Sequence, residues 1–295
     1  MLHAREKSTV LCIGRIYCDL IFTGLNEMPV LGREVFADNM EIAAGGGAFI
    51  TAAHTARLGR PAGLVARLGT DALSSIVSEK MNLSGVDLSF VEYAAEAGPQ
   101  VTVASVIGHD RAFLTRRAGP VLPDTLEAAL RCEEATHLHI AEYATLHEVP
   151  DLIKRAKANG LTVSLDPSWD TALIYDENLL KSCAGVDVFL PNLEEARAIT
   201  GQDDPEIALR TLADHFPCIA LKAGHMGAWV MGDNKIHYAQ AERVPVVDTT
   251  GAGDAFNAGF LNSWIEGKGL EEALACGIRT GSIAVQVHGG TVPAG

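Results

Sequence analysis

Four residues that could do chemistry together fall within seven positions at Asp248-Thr249-Thr250-Gly251-Ala252-Gly253-Asp254. A strand-like apolar run at 244–247 leads in, and a strongly apolar helical run at 255–265 leads out. Two glycines at a strand-to-helix turn let the N–H groups of Gly251, Ala252 and Gly253 close on an anion, and the helix N-terminus adds positive potential there. A carboxylate beside that anion would repel a phosphate. Asp254 is therefore better explained as a base that takes a proton from an attacking hydroxyl. An anion hole plus a base is equipment for phosphoryl transfer. The competing reading is a tight turn and a capped helix, with Asp254 as the cap.

The elements that must position these residues alternate along the chain. Short apolar runs at 9–13, 62–67, 136–140, 161–166, 187–190 and 218–222 suit parallel strands buried on both faces. Helical segments lie at 48–58, 72–83, 123–129, 146–159, 193–200 and 205–215. This alternation predicts a doubly wound α/β sandwich, whose ligands sit at the carboxyl ends of the strands. Two stretches break the pattern. Residues 19–42 carry few helix signals, and 101–107 with 111–116 flank Gly108-His109-Asp110 as a β-hairpin. Together they form either a small sheet covering the site or surface decoration. A covering sheet would exclude water that competes for a phosphoryl group.

Composition narrows the function classes. The chain has 295 residues, 48% of them hydrophobic, enough for a large core read as one α/β domain with a small appendage. No charged and apolar leader opens it, and no apolar run reaches the roughly 20 residues needed to span a bilayer. Six cysteines make no C-x-x-C pair, so neither zinc nor a disulfide framework is expected, and a cytoplasmic setting is the simplest. Against 37 acidic residues stand 23 Lys and Arg, a net charge of −14. A nucleic-acid partner is not expected. A polyphosphate would need local devices: backbone N–H groups, one or two cations and a divalent metal. The ten histidines form no metal-spaced cluster.

The whole run from Asp248 to Phe260, D-T-T-G-A-G-D-A-F-N-A-G-F, resembles the C-terminal signature of the PfkB/ribokinase family of carbohydrate kinases. The resemblance implies a ribokinase-like fold over residues 1–295. In that fold a mostly parallel central sheet is sandwiched by helices, with a small β-lid at about 15–42 and 100–117. It implies a kinase that uses ATP and Mg²⁺ on a small-molecule acceptor, with a homodimer through the lid as a further expectation. Asn192-Leu193-Glu194-Glu195 resembles the family's N-x-x-E motif. One helical turn brings Asn192 and Glu195 to one face, where hard oxygens organise water-bound Mg²⁺; the same pair also makes a capping box. Lys222-Ala223-Gly224-His225-Met226-Gly227 is similar to a loop along the nucleotide. Gly224 and Gly227 would let the backbone pass under the nucleotide, and Lys222 would offer a point charge to phosphate. Alone, this loop also reads as a plain hairpin turn. The stretch 277–287, starting at Gly277, reads as a helix rich in small residues, and in the family that region flanks the adenine. Asp248, Thr250, Ala284, Val287 and Gly289 correspond to positions where relatives hold a monovalent cation, so K⁺ is a further candidate; Asp248 could instead brace the loop.

For the acceptor, the resemblance implies that Asp19 accepts hydroxyl hydrogen bonds and that Gly45 and Gly46 bring backbone against the substrate. The chain departs from its relatives at Ile50, which stands where a sugar-reading Asn is usual, with Phe49 beside it. Either Thr51 takes over or the acceptor has an apolar portion. Arg33 and Arg111 lie in the lid segments, as solvated charges or as contacts to an acidic acceptor. The leading expectation is phosphorylation of a hydroxymethyl group on a sugar or sugar-like molecule, with a nucleoside kinase as the alternative. A non-catalytic nucleotide- or metabolite-binding regulator is the reading from another class. It leaves a carboxylate facing phosphate unexplained. A dinucleotide-dependent oxidoreductase lacks the full G-x-G-x-x-G.

Overall fold

Alternate residues of the first strand, β1 (Thr9–Ile13), serve two different cores: Leu11 and Ile13 point to one face of the sheet, Val10 and Cys12 to the other. A strand's period of two makes this unavoidable once both faces are covered. The computed structural model describes residues 8–107, 110–287 and 289–291. The elements that follow are β2 (Tyr17–Thr23), β3 (Asn39–Gly45), α1 (Gly47–Arg57), β4 (Ala62–Leu68), α2 (Ala72–Asn82), β5 (Val91–Tyr93), β6 (Gln100–Ile107), β7 (Asp110–Arg116), α3 (Leu126–Leu130), β8 (Ala135–Ile140), α4 (Tyr143–Glu148), α5 (Leu152–Ala158), β9 (Thr162–Leu165), α6 (Leu179–Ser182), β10 (Val188–Phe189), α7 (Leu193–Thr200), α8 (Pro205–Leu212), β11 (Cys218–Lys222), β12 (Ala228–Gly232), β13 (Lys235–Ala239), α9 (Ala252–Ile265) and α10 (Leu270–Ala284).

The main sheet runs β13-β12-β11-β10-β9-β8-β1-β4-β5. It is parallel from β11 to β5, and antiparallel only where β12 and β13 extend the edge. Helices α3 to α8 cover one face around Leu138, Val163, Phe189 and Ile219. On the other face α1 and α2 cover β1 and β4, and α9 and α10 cover β10 to β12. Each Leu, Ile or Phe fully buried here contributes about 1.5–3 kcal/mol. The separate sheet β3-β2-β6-β7 is the small lid, with β2 parallel to β6 and the outer pairs antiparallel. In it Asp19 pairs with Ala43 on one side and Thr102 on the other. The hairpin β6–β7 forms as expected, while its turn at Gly108-His109 lies outside the described residues.

All six main-sheet strands expected from the sequence are present. Three other expectations need correction. Residues 244–247 are not a strand: β13 already closes that edge, Val246 and Val247 are exposed, and the Val247 N–H goes to the Val285 carbonyl at 2.8 Å. The helix expected over 146–159 is two helices, α4 and α5. Pro150 cannot donate a helical hydrogen bond and holds Val149 out of the helical region at φ −126° and ψ 73°. The small-residue run at 277–287 is the second half of a helix that starts seven residues earlier and ends at Ala284.

Candidate functional site

The turn before α9 is fixed by its own aspartate. The Asp248 carboxylate accepts from the Thr250 N–H (2.9 Å), the Thr250 hydroxyl (2.8 Å) and the Gly289 N–H (3.1 Å). It thereby ties the turn to the segment behind α10. Gly251 has φ +71°, and a Cβ there would meet the Gly290 Cα at 2.6 Å, so conformation and space both demand glycine. The Ala252 N–H turns back to the Thr249 carbonyl at 3.3 Å. The first turn of α9 starts at that point, with the N–H groups that no helix satisfies internally.

Asp254 sits in that first turn, facing Gly47 at the start of α1; a Cβ on Gly47 would lie 2.9 Å from its Oδ1. Burial, reinforced by the Asp166 carboxylate and opposed by Lys222, pushes the Asp254 acid up to about 7. A base poised there exchanges protons readily near neutral pH. Beneath the turn, Lys222 Nζ donates to Asp166 Oδ2 (2.5 Å) and Asn257 Oδ1 (3.2 Å), and Asn257 Nδ2 donates to the same Asp166 oxygen (2.7 Å). Burial works against the lysine's charge, but Asp166 and Glu195 outweigh it and hold its pKa above the usual value. Lys222 is therefore clamped under the loop rather than extended toward solvent.

Asn192 and Glu195 form the capping box of α7: Asn192 Oδ1 accepts the Glu195 N–H at 2.9 Å, and Glu195 Oε2 accepts the Asn192 N–H at 2.7 Å. The same pair also lines the cavity described below. Burial and the nearby Asp166 raise the Glu195 acid, with Lys222 opposing. Asp166, Glu195 and Asp254 thus crowd negative charge around one lysine. Among the described residues no three such side chains converge closely enough to grip a metal directly. The set fits a hard cation that keeps its own waters.

Between lid and sheet lies a cavity of about 1600 Å³. Its wall includes Asp254, Gly251, Ala252, Gly253, Thr250, Asp248, Asn192, Glu195, Lys222, Gly224, Gly227, Asp19, Gly46 and Ile50. The sequence therefore selected residues that the fold gathers. Alternate lid residues Tyr17, Asp19 and Ile21 on β2, and Thr102, Ala104 and Val106 on β6, face it. The loop holding Gly224 and Gly227 is both a cavity wall and the β11–β12 hairpin connection. Asp19 lies over Gly45, where any Cβ would strike its carboxylate. Burial, then the charge of Asp248, lifts the Asp19 acid to about 6. Ile50 is buried against Gly251 and Gly290. Thr51 instead braces α9 through the Asp254 carbonyl (3.3 Å), off the cavity wall, which removes it as the stand-in for the missing Asn.

Other residues fall elsewhere. Gly277 is off the wall, pressed on the Phe256 ring (2.9 Å for a Cβ), while Ile278, Gly281 and Ser282 reach the cavity. Gly45, Ala284, Val287 and Gly289 lie behind the wall. Arg33 is exposed and away from the cavity, and the Arg111 side chain lies outside the described residues. Four participants were missed. Asp166 ends the expected strand at 161–166, Asn257 stands inside the C-terminal signature, and Gly47 is the third glycine of its run. His54, buried and with its pKa lowered by desolvation, donates through Nε2 to the Gly290 carbonyl (2.9 Å) behind the turn.

Comparison with known proteins agrees with this geometry. The family model for the pfkB family carbohydrate kinases matches residues 7–294. The chain is 26% identical over 288 residues to a 2-dehydro-3-deoxygluconokinase of Bacillus subtilis (strain 168), covering 91% of this chain and 86% of that one. Among solved structures, Arabidopsis thaliana ribokinase complexed with ribose and ATP superposes with a TM-score of 0.83 at 23% identity, covering 96% of this chain and 94% of that one. The Methanocaldococcus jannaschii nucleoside kinase, described as an archaeal member of the ribokinase family, gives 0.81 at 19% identity, covering 98% and 95%.

Proposed function

Because the chain belongs to the pfkB family of carbohydrate kinases, we propose that it transfers the γ-phosphoryl group of ATP to a hydroxymethyl group of a small sugar or sugar-like acceptor. Membership makes it a phosphotransferase acting on a sugar hydroxyl. The observation that carries the finer reading is the placement of Asp254. A carboxylate with its acid near 7 stands at the N-terminus of α9, in one cavity with the anion turn and the lid carboxylate Asp19. Asp19 accepts acceptor hydroxyls and orients the molecule. Asp254 takes the proton as the hydroxyl oxygen bonds to the γ-phosphorus, and the bond from that phosphorus to the bridging oxygen of ADP breaks. The backbone N–H groups of Gly251 and Gly253 meet the charge on the transferring group, joined by that of Ala252 once it leaves the Thr249 carbonyl. Lys222 acts from beneath the turn, while Gly224, Gly227, Ile278 and Ser282 border the nucleotide half.

Asn192 and Glu195 would position Mg²⁺ through its water ligands; bound there, the ion neutralises phosphate charge. Ala284, Val287 and Gly289 flank the strap held by Asp248, so K⁺ there would only fix the turn. Exposed Leu31, Phe36 and Leu114 on the lid support a dimer through that surface, which the mass from light scattering in solution would test. A nucleoside acceptor is the second reading, favoured by Ile50 on the cavity wall where hydroxyl recognition would need a polar group. An ATP-consumption screen over pentoses, ketohexoses, sugar acids and nucleosides tests the proposal: one acceptor turned over with release of ADP supports it, and none across the panel removes it.

A further inference from the structure

Among the described side chains, the cations on the acceptor side of the cavity are paired. Arg15 is buried, and its two terminal nitrogens meet Glu142 (3.4 Å), Glu148 and the Gly119 carbonyl (3.2 Å), while its Nε is buried without a partner among the described residues. Arg117, just past β7, meets Asp170 Oδ2 at 2.9 Å. Lys222 is committed to Asp166 and Asn257. Arg243 is exposed on the loop that begins at Gln240, and Gln240 packs on Gly227 at the nucleotide side.

Carboxylates in the same half are in surplus. Asp19 has no ion pair among the described residues, and its raised acid reflects burial beside Asp248. A second anion brought there would lose water without gaining a cation, and an unpaired buried charge is strongly disfavoured. Hydroxyl groups, by contrast, donate to these carboxylates.

We propose that the acceptor is an uncharged polyhydroxy molecule, and that Asp170 is a specificity-determining residue that neutralises Arg117 and so shuts out acceptors carrying a carboxylate or phosphate. This rests on the kinase reading above and narrows its substrate class. Asp170 stands four residues after Asp166, on the loop leaving β9, and reaches across to the lid. It also accepts the Ala172 N–H through Oδ1 at 3.0 Å. Asp170→Asn keeps that acceptor oxygen, and hence the loop, while removing the charge bonded to Arg117 and leaving only the more distant influence of Glu142.

The test compares wild type, Asp170→Asn and Asp170→Asn/Arg117→Ala with D-ribose, D-fructose and adenosine as neutral probes, and D-gluconate and ribose 5-phosphate as acidic ones. Dissociation constants come from calorimetry and kcat/KM from ADP release. Wild type should use or bind a neutral probe at least tenfold better than either acidic one. Asp170→Asn should tighten an acidic probe at least tenfold, about 1.4 kcal/mol, with neutral probes unchanged, and the double variant should lose that gain. Wild-type preference for an acidic probe, or no gain of acidic binding in Asp170→Asn, overturns the proposal. Absence of ADP release with every probe counts against the kinase reading instead, and the dissociation constants still decide the charge question.

Discussion

Gly47→Ala separates the position of the base from the stability of the fold. Gly47 opens α1 without a left-handed backbone, so alanine is conformationally allowed there. Its Cβ, however, would stand 2.9 Å from Asp254 Oδ1, 3.3 Å from the Ala141 Cβ and 3.4 Å from the Ala141 carbonyl oxygen. Ordinary contact starts at 3.4 Å, so the carboxylate has to retreat by the 0.5 Å difference. It is the end of a side chain and can do so at little cost. A misplacement of about 1 Å in a reacting geometry costs roughly 10²-fold, so half of that should cost about tenfold in kcat. The assay is steady-state kcat and the KM for ATP, beside a thermal melt. The expected result is kcat down about tenfold, the ATP KM within twofold, and Tm within about 3 °C. A variant with wild-type kcat would show that Asp254 need not sit where the structure holds it. A large loss of Tm would make Gly47 a packing residue.

Three further outcomes follow from the same cavity. Glu195→Gln retains the capping oxygen of α7 but cannot ionise, so Tm should hold while the free Mg²⁺ needed for half-maximal activity rises; superimposable Mg²⁺ titrations would reduce the motif to a cap. Asp19→Ala should lower acceptor kcat/KM by at least about tenfold, roughly 1.4 kcal/mol, with the ATP KM little changed, and unaltered acceptor kinetics would remove Asp19 from the acceptor site. Asp254→Asn should raise Tm at pH 8 but not at pH 3.5. The folded acid is lifted from 3.8 to about 7, so as pH rises through that window the unfolded chain ionises first and the folded state loses stability, a loss Asn cannot suffer. Equal melting shifts at both pH values would contradict the raised acid.

The fold was legible where local chemistry decides it. Buried parallel strands announce themselves as apolar runs, and β1 and β11 fall on the expected residues. The errors arose where a neighbour decides. Residues 244–247 have strand composition, but their backbone turns to the end of α10, where the Val247 N–H meets the Val285 carbonyl, and the break at Pro150 needed the proline weighed above the apolar period of 146–159. In the site, the placement of Gly251, Ala252, Gly253 and Asp254 together at a helix start was readable because the D-T-T-G-A-G-D run keeps them adjacent in sequence. Asp166 and Asn257 were not. Their role exists only because β9, β11 and α9, separated widely in sequence, bring both onto Lys222. Gly277 misled because small residues serve tight helix packing as well as a flat ligand, and here the partner is Phe256.

The central claim, that Asp254 is the base, is tested most directly by Asp254→Asn with an acceptor the enzyme uses. The account predicts that kcat falls by about 10²–10⁴ while ATP still binds within about threefold of wild type. A variant that keeps more than a tenth of wild-type kcat would contradict it.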